Sequence, residues 1–584
     1  MKSLYKALTR TKSIEAILKQ SNLTDADDIH DKGLKKVLSA RDLTFFGIAA
    51  ILGAGSFSSL GAAVFSGGPG VVVLYILCGI ACGFTAFCYA EFASRVPVAG
   101  SAYTYAYASF GEMMAWIIGW ALLMEYCIGN IYVSFSWSDY FTTLLEKFHI
   151  YLPVYLTCSY KEAAHAMAAG STVKELNDAW SNAPTIGGLR FIMDLPAFLI
   201  NIAITYVVYR GVKESRNFSN TMVVLKLAAI SLVILVGGGL IFSNGSYENW
   251  LPTSASTGVK SFLPNGFGGV MAAVSGVFFA YIGFDAVSVL AEESKDPQRD
   301  LPKGMIWSLI ICTIIYIILS LVLTGAVVYT KFEGIGDPLA FIFEPENLNQ
   351  PWMVILIAFI AVIAMTSVLL VFQMGQPRIW MSMSRDGLLP PAFQKIHPRF
   401  RTPSFATIVT GFVVGIPILF TDKTFVLDFT SIGTLFAFVL VCGGVLLLPK
   451  REKNPGGFNL PFINSQYIYP IFMVGVIILL LSNGSHYFQE LLNGDFSGGN
   501  SSLFSSTSIK ISTIIFWLLG FVLAVFAYIK KWSLIPLMGM VSCLYLLTGM
   551  AGTNWLWFFA WFAIGLIIYF YYGFKKSKLV IPSK

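Results

Sequence analysis

The chain predicts an all-α membrane protein of about fourteen transmembrane helices, and three observations carry that reading. Hydrophobic residues make up 56% of the 584 positions and charged residues only 12%, whereas a soluble domain carries roughly 25% charged residues. Fourteen apolar stretches approach the length of about 20 residues that crosses some 30 Å of hydrocarbon. Lys and Arg gather in alternate connections, as the positive-inside rule requires.

The stretches run over 43–66, 70–93, 112–141, 191–209, 217–241, 267–292, 304–329, 351–377, 404–420, 425–448, 466–483, 509–529, 533–550 and 553–573. With this count, one side collects the N-terminal cations, Arg210/Lys213/Arg216, Lys295/Arg299/Lys303, Arg378/Arg385/Lys395/Arg399/Arg401, Lys450/Arg451/Lys453, Lys530/Lys531 and Lys575/Lys576/Lys578. The other side holds only scattered cations such as Lys147, Lys161 and Lys260. Both termini are therefore expected in the cytoplasm of a multi-pass protein of the cell membrane, plasma or bacterial inner. The net charge of +7 is a topology signal and implies no nucleic-acid partner.

The chain divides into four parts. Residues 1–42 form a cytoplasmic segment, with a short amphipathic helix in "KSIEAILKQ" and no cleavable signal peptide. Residues 43–449 form a ten-helix core, 450–574 add four helices, and 575–584 form a cytoplasmic tail. Outside, 142–190 holds one or two short helices, 331–350 a short helix, and 484–508 a Gly/Ser/Asn-rich loop. Seven of eight cysteines lie within spans, so no disulfide framework is implied. Cys158, in an outer loop, is where a covalent accessory subunit would attach, but the sequence assigns no such subunit.

Two spans are read as broken. The first, "LTFFGIAAILGAGSFSSLGAAVF", has Gly53, Ala54 and Gly55 at its centre; the sixth, "GVMAAVSGVFFAYIGFDAVSVLAEE", has Gly283 after Phe279-Ala280-Tyr281. Transporters place their sites at paired interruptions in corresponding halves. A separation of five helices matches a LeuT-type 5+5 inverted repeat with discontinuous helices 1 and 6. Either glycine cluster alone equally suits close helix packing.

An unwound helix frees N–H and C=O groups that lipid cannot satisfy. An amino-acid zwitterion supplies partners for both. The amides around Gly53, Ala54 and Gly55 suit its carboxylate, helped by the positive end of the following half-helix. The carbonyls of Phe279, Ala280 and Ile282 suit its ammonium, and Phe279 is placed to close over it as a gate.

Ionisable residues deep in a span are functional suspects. Lys226 lies about ten residues from the cytoplasmic end of the fifth span, roughly 15 Å deep. Its expected partners are Thr366, Ser367 and carbonyls at the first break. It either takes up and releases a proton during transport or locks helices as a fixed charge. Glu125, central in the third span, either lines the pocket floor, pairs with a cation, binds a basic substrate side chain or clamps helices. Asp285, just past the sixth-span break, is a cytoplasmic-side gate element. No nucleophile–base set, phosphate loop or metal-ligand spacing is present. The expectation is a non-enzyme without cofactor or metal, driven by a gradient or by exchange.

Several long motifs then resemble the amino acid–polyamine–organocation (APC) superfamily, and within it the cationic amino acid transporter family. They include "ILGAGSF", "GWALLMEYCIG", "NFSNTMVVLKL", "FFAYIGFDAVSVLAEESKDPQRDLPKGM" and "MGQPRIWMSMSRDGLLPPAF". The resemblance implies the LeuT-type fold with four additional C-terminal helices. It implies Ile51, Gly53, Ala54 and Gly55 at the substrate carboxylate, Phe279, Ala280 and Ile282 at the amino group, and Glu125 near the side-chain pocket. It places Lys226 where sodium-coupled relatives bind their ion, implying a sodium-independent, proton-coupled symporter or an obligate exchanger. Met365 beside the pocket leaves less room for Arg or Lys, so small neutral amino acids are equal candidates. A non-transporting amino-acid sensor is the third reading, disfavoured by the lack of any signalling domain.

Overall fold

A computed structural model describes residues 10–12, 38–53, 55–95, 101–169, 174–186, 189–211, 216–254, 258–400, 402–448, 457–482, 488, 491 and 507–578. The expected N-terminal amphipathic helix, Ala54, most of the 484–508 loop and the end of the tail lie outside these residues.

The structure is helical throughout, apart from a small hairpin in which Thr185 pairs Arg190 and Ile186 pairs Leu189. Among the described residues, nine helical runs are long and apolar enough to span a bilayer, and four shorter apolar helices accompany them. The main elements are α1 (Ala40–Ile51), α2 (Leu60–Gly67), α3 (Val71–Arg95), α4 (Ser101–Ser109), α5 (Glu112–Lys147), α6 (Tyr160–Ala169) and α7 (Lys174–Asn182). They continue with α8 (Leu195–Arg210), α9 (Arg216–Asn244), α10 (Gly266–Ala272), α11 (Val274–Phe279), α12 (Pro297–Ala326), α13 (Pro338–Phe341) and α14 (Pro351–Arg385). The last are α15 (Ser404–Ile418), α16 (Lys423–Leu447), α17 (Ser465–Ser482), α18 (Thr507–Lys530), α19 (Leu534–Leu547) and α20 (Gly552–Ile568).

Local chemistry sets several of these ends. Asp42 accepts from the Ser39 N–H and hydroxyl, capping α1. Asp422 accepts from the Phe425 N–H at 2.7 Å and starts α16. Pro297 and Pro351 open α12 and α14, where a missing N–H costs nothing.

Two groups of helices pack internally. In one, α12 lies against α1 and α3; in the other, α5 lies against α14 and α8 against α15. Helix α9 touches α1, α12 and α14, and α16 touches α5, so both join the groups. Small residues bring α1 and α12 close: a Cβ on Gly47 would lie 2.5 Å from the Ser308 hydroxyl oxygen, and one on Gly304 would lie 2.8 Å from Leu43 Cβ. That is the close approach membrane helices use where no hydrophobic force drives association. The core cluster runs through all these helices, whereas α17 and α18 share a smaller cluster of Tyr469, Met473, Phe516 and Trp517. Outside, α6 and α7 pack around Cys158, Ala163 and Ala179, which buries the Cys158 sulfur in their own small core.

Candidate functional site

Helix α1 stops at Ile51, and the Gly53 N–H turns back to the Ile51 carbonyl at 2.9 Å. The chain resumes as a π turn over Gly55–Ser59 and runs into α2. Helix α11 likewise ends at Phe279, and Gly283 takes a φ of +115° before a 3₁₀ segment, Phe284–Glu293. A residue with a Cβ is strained at that φ, and a Cβ at Gly283 would also lie 3.1 Å from the Ala50 backbone.

The two interruptions touch. A Cβ on Gly55 would fall 2.6 Å from Ala280 Cα. The Tyr316 hydroxyl of α12 lies 2.9 Å from the Ile51 carbonyl and 2.7 Å from the Ala280 carbonyl. It has one hydrogen and so can donate to one of them at a time. The Ser59 hydroxyl makes a second bridge, between the Gly55 and Gly276 carbonyls at 3.1 and 2.9 Å. Ser56 donates to the Gly53 carbonyl at 3.2 Å, so its hydroxyl is engaged within the turn.

Ile51, Gly53, Gly55, Phe279, Ala280 and Ile282 are all buried and meet at this junction. The Phe279 carbonyl accepts from the Ile282 N–H at 3.1 Å, whereas the Ala280 carbonyl, among the described residues, accepts only from the Tyr316 hydroxyl, which it shares with Ile51. The Phe279 ring packs against the Tyr132 ring at 4.4 Å.

Lys226 is buried on α9 and donates to the Ala49 carbonyl at 3.0 Å, one turn before the first break. The hydroxyls of Thr366 and Ser367 are engaged elsewhere. Thr366 accepts from the Trp137 indole at 3.0 Å and donates to Val362, and Ser367 donates to Ala364. The lysine expected to reach both hydroxyls and backbone is thus bonded to backbone.

Glu125 of α5 is buried beside Thr434 of α16 and within electrostatic reach of Asp285. One oxygen of Glu125 is buried without a hydrogen-bond partner among the described residues, and the Asp285 carboxyl faces only backbone N–H groups at the break. Unpartnered buried carboxyl oxygens are costly and mark places where a ligand or proton is expected. Met365 is fully buried on α14, one turn from Val368, whose methyl would meet a Cβ on Gly53 at 2.6 Å. A cavity of about 460 Å³ between α5 and α8 is lined only by apolar surface, including Trp137, Phe141 and Leu199. It offers nothing to a zwitterion.

Three groups escaped the sequence reading. Tyr316 sits in an ordinary apolar run, "IIYIILS", and nothing in its pattern separates it from core. Tyr132 is equally plain in α5. Lys423 stood just outside a predicted span, yet its ammonium bonds the Asp139 carboxylate and lies 5.7 Å from the Tyr132 ring centroid. Lys161 pairs with Asp422, and Glu162 accepts from the Lys423 N–H. The α6–α7 insert is thereby fastened to the start of α16, whose Lys423 also meets the Tyr132 ring. Near it, burial pushes the Asp337 carboxyl up to about 7, opposed by the Thr143 hydroxyl that donates to it at 2.8 Å.

Comparison with known proteins identifies the family. The sequence profile of the amino acid permease family matches residues 38–487. The branched-chain amino acid permease BcaP of Bacillus subtilis is 35% identical over 550 residues, covering 94% of this chain and 95% of that protein. The methylthioribose transporter of the same organism is 34% identical over 577 residues, covering 98% and 99%. The vacuolar cationic amino acid transporter 2 of Arabidopsis thaliana is 29% identical over 642 residues, covering 98% and 93%. A profile match over most of the chain, with relatives aligned nearly end to end, shows that the protein belongs to the amino acid permease family of the APC superfamily.

Proposed function

We propose that the chain is a secondary active amino-acid transporter of the cell membrane, sodium-independent and proton-coupled through Lys226, on a LeuT-type core of five-plus-five helices with four further helices behind it. The observation that carries this reading is the junction of two interrupted spans, where one Tyr316 hydrogen faces two backbone carbonyls. The Ile51 carbonyl keeps the Gly53 N–H as a donor, so when Tyr316 turns to Ile51 the Ala280 carbonyl is released for a substrate ammonium. The substrate carboxylate lies at the start of the Gly55–Ser59 turn, where the positive end of the resumed helix favours an anion.

Lys226 ties the inner half of the first span through the Ala49 carbonyl. As an ammonium it makes a charge-assisted bond, roughly twice as strong as a neutral one. Loss of the proton weakens that tie and frees α1 to tilt. Proton movement and the position of α1 are in this way two readings of one equilibrium. Glu125 and Asp285 form the floor and take the substrate side chain. Their carboxyl oxygens offer acceptors to a cationic side chain, while Met365 narrows the space toward small neutral ones.

The test is uptake by proteoliposomes of labelled leucine, alanine and arginine under an inward proton gradient. Accumulation that persists without sodium and is lost in Lys226→Met is expected. Counterflow with no net accumulation would turn the reading to an obligate exchanger, and sodium-dependent uptake indifferent to pH would remove the role of Lys226. Glu125→Gln should cut arginine uptake more than leucine uptake if the floor reads charge.

A further inference from the structure

We propose that Arg10–Lys12 is a cytoplasmic strap that clasps the inner face of the carrier shut, and that its release lets the inner half of the sixth interrupted span swing outward. The proposal rests on the transport reading above only for its purpose, not for its geometry.

The strap crosses the junction of α4 and α5. The Glu112 N–H donates to the Arg10 carbonyl at 2.8 Å, and the Lys12 N–H donates to the Tyr107 carbonyl at 3.2 Å. Side chains repeat the link. The Arg10 guanidinium lies 3.5 Å from the Glu112 carboxylate, which is fully buried. Lys12 bonds the Asp386 carboxylate at 2.9 Å. Each carboxylate is shared with other parts of the chain. Glu112 accepts from Tyr107 and Tyr569, both at 3.1 Å, and from Ser577. Asp386 accepts from Tyr103 at 2.8 Å, and its carbonyl accepts from the Lys578 N–H at 3.1 Å. Two acids thus gather the strap, α4, the start of α5, the end of α14 and the C-terminal end beyond α20.

That knot lies against the moving part. Helix α4 packs directly on the Phe284–Glu293 segment. Its Tyr105 meets Tyr89 of α3 edge to face, and Tyr89 meets Phe284 in the same way at 5.8 Å. An inward opening that displaces the 284–293 segment must move α4 or slide past it, and the strap pins α4 to α14 and to the C-terminal end. Charge explains why the clasp has a defined closed position. Glu112 is out of water, and taking its cation away leaves an uncompensated buried carboxylate. The strap remains detachable because its own side chains are partly exposed, 20% for Arg10 and 15% for Lys12, so water can replace their ionic partners.

The test uses the full-length chain in inverted membrane vesicles, with Ser288→Cys as a reporter on the inner segment and a membrane-impermeant maleimide as the probe. Ser288 is fully buried, and all eight native thiols are buried, so background labelling is low. Arg10→Ala/Lys12→Ala should raise the labelling rate about tenfold, as a tenfold gain in the open population would. Arg10→Lys/Lys12→Arg should restore slow labelling. Asp386→Asn, which breaks the clasp from the opposite side, should also accelerate it. Unchanged labelling in both clasp-breaking variants overturns the proposal, even in a chain that transports well. Faster labelling in a chain that moves no amino acid supports the clasp and sinks the transport reading instead.

Discussion

The α5 span and the α17 span were both read as membrane helices from their apolarity, yet they are different objects. In the most apolar stretch of α5, 83% of residues are buried inside the protein; in α17 the share is 17% and in α18 it is 22%. Helix α5 carries Glu125, Asn130, Ser134 and Ser138, all buried. Helix α17 turns Ile471, Val474, Ile478 and Leu481 outward, each more than half exposed in the absence of lipid. The bilayer solvates the second kind of helix, and other helices solvate the first. A polar residue in lipid has no partner, so polar groups concentrate where helix faces helix. The difference teaches that buried polarity, rather than hydrophobicity, separates the working core from the helices packed behind it.

The sharpest way to break this contrast is at the contact between the two interruptions. Gly55→Ala puts a methyl 2.6 Å from Ala280 Cα, and amino-acid uptake should fall to background while the protein still inserts and purifies as one species. Wild-type uptake in that variant would mean that the junction is ordinary packing. A smaller effect is expected from Tyr316→Phe, which removes one hydrogen but leaves the ring stack with Tyr75 at 5.4 Å. One buried hydrogen bond of about 0.5–1.5 kcal/mol corresponds to roughly a 2- to 10-fold change, read as a higher KM for substrate.

A third prediction concerns stability at the outer face. The Asp337 carboxyl is raised to about 7 by burial, from an ordinary value of about 4. A raised folded-state value means that its contribution is fully present below pH 4 and is lost as pH rises through about 7. Asp337→Asn cannot ionise, so its Tm should exceed that of the wild type at pH 8 and converge with it toward pH 4. Equal Tm values at both pH values would place Asp337 in water. The smallest effect is expected on the lipid-facing side: Ile478→Ala on α17 should leave uptake within error, and a severe loss there would show that α17 contacts something besides lipid.

Much of this was readable in the chain. The spans follow from apolar length, and the break at Gly283 follows from a glycine placed where φ is positive. Lys226, Glu125 and Asp285 announced themselves because charge in a span is rare. Their partners were half legible. Lys226 takes the Ala49 carbonyl beside the first break, one kind of partner expected for it, while the hydroxyls of Thr366 and Ser367, the other kind, are bonded elsewhere. Tyr316 was invisible: a tyrosine in an apolar run reads as core until its hydroxyl is seen between two carbonyls. The clasp joins residues 10, 112, 386 and 577, and no local pattern links positions so far apart.

The close approach of Gly55 to Ala280 carries one more consequence. With no room for a single carbon between them, neither strand can slip along the other, and the pair is geared like two cogs in mesh. On the transport reading, a swing of one would drag its neighbour, and a passenger seated there would meet both walls at the same instant.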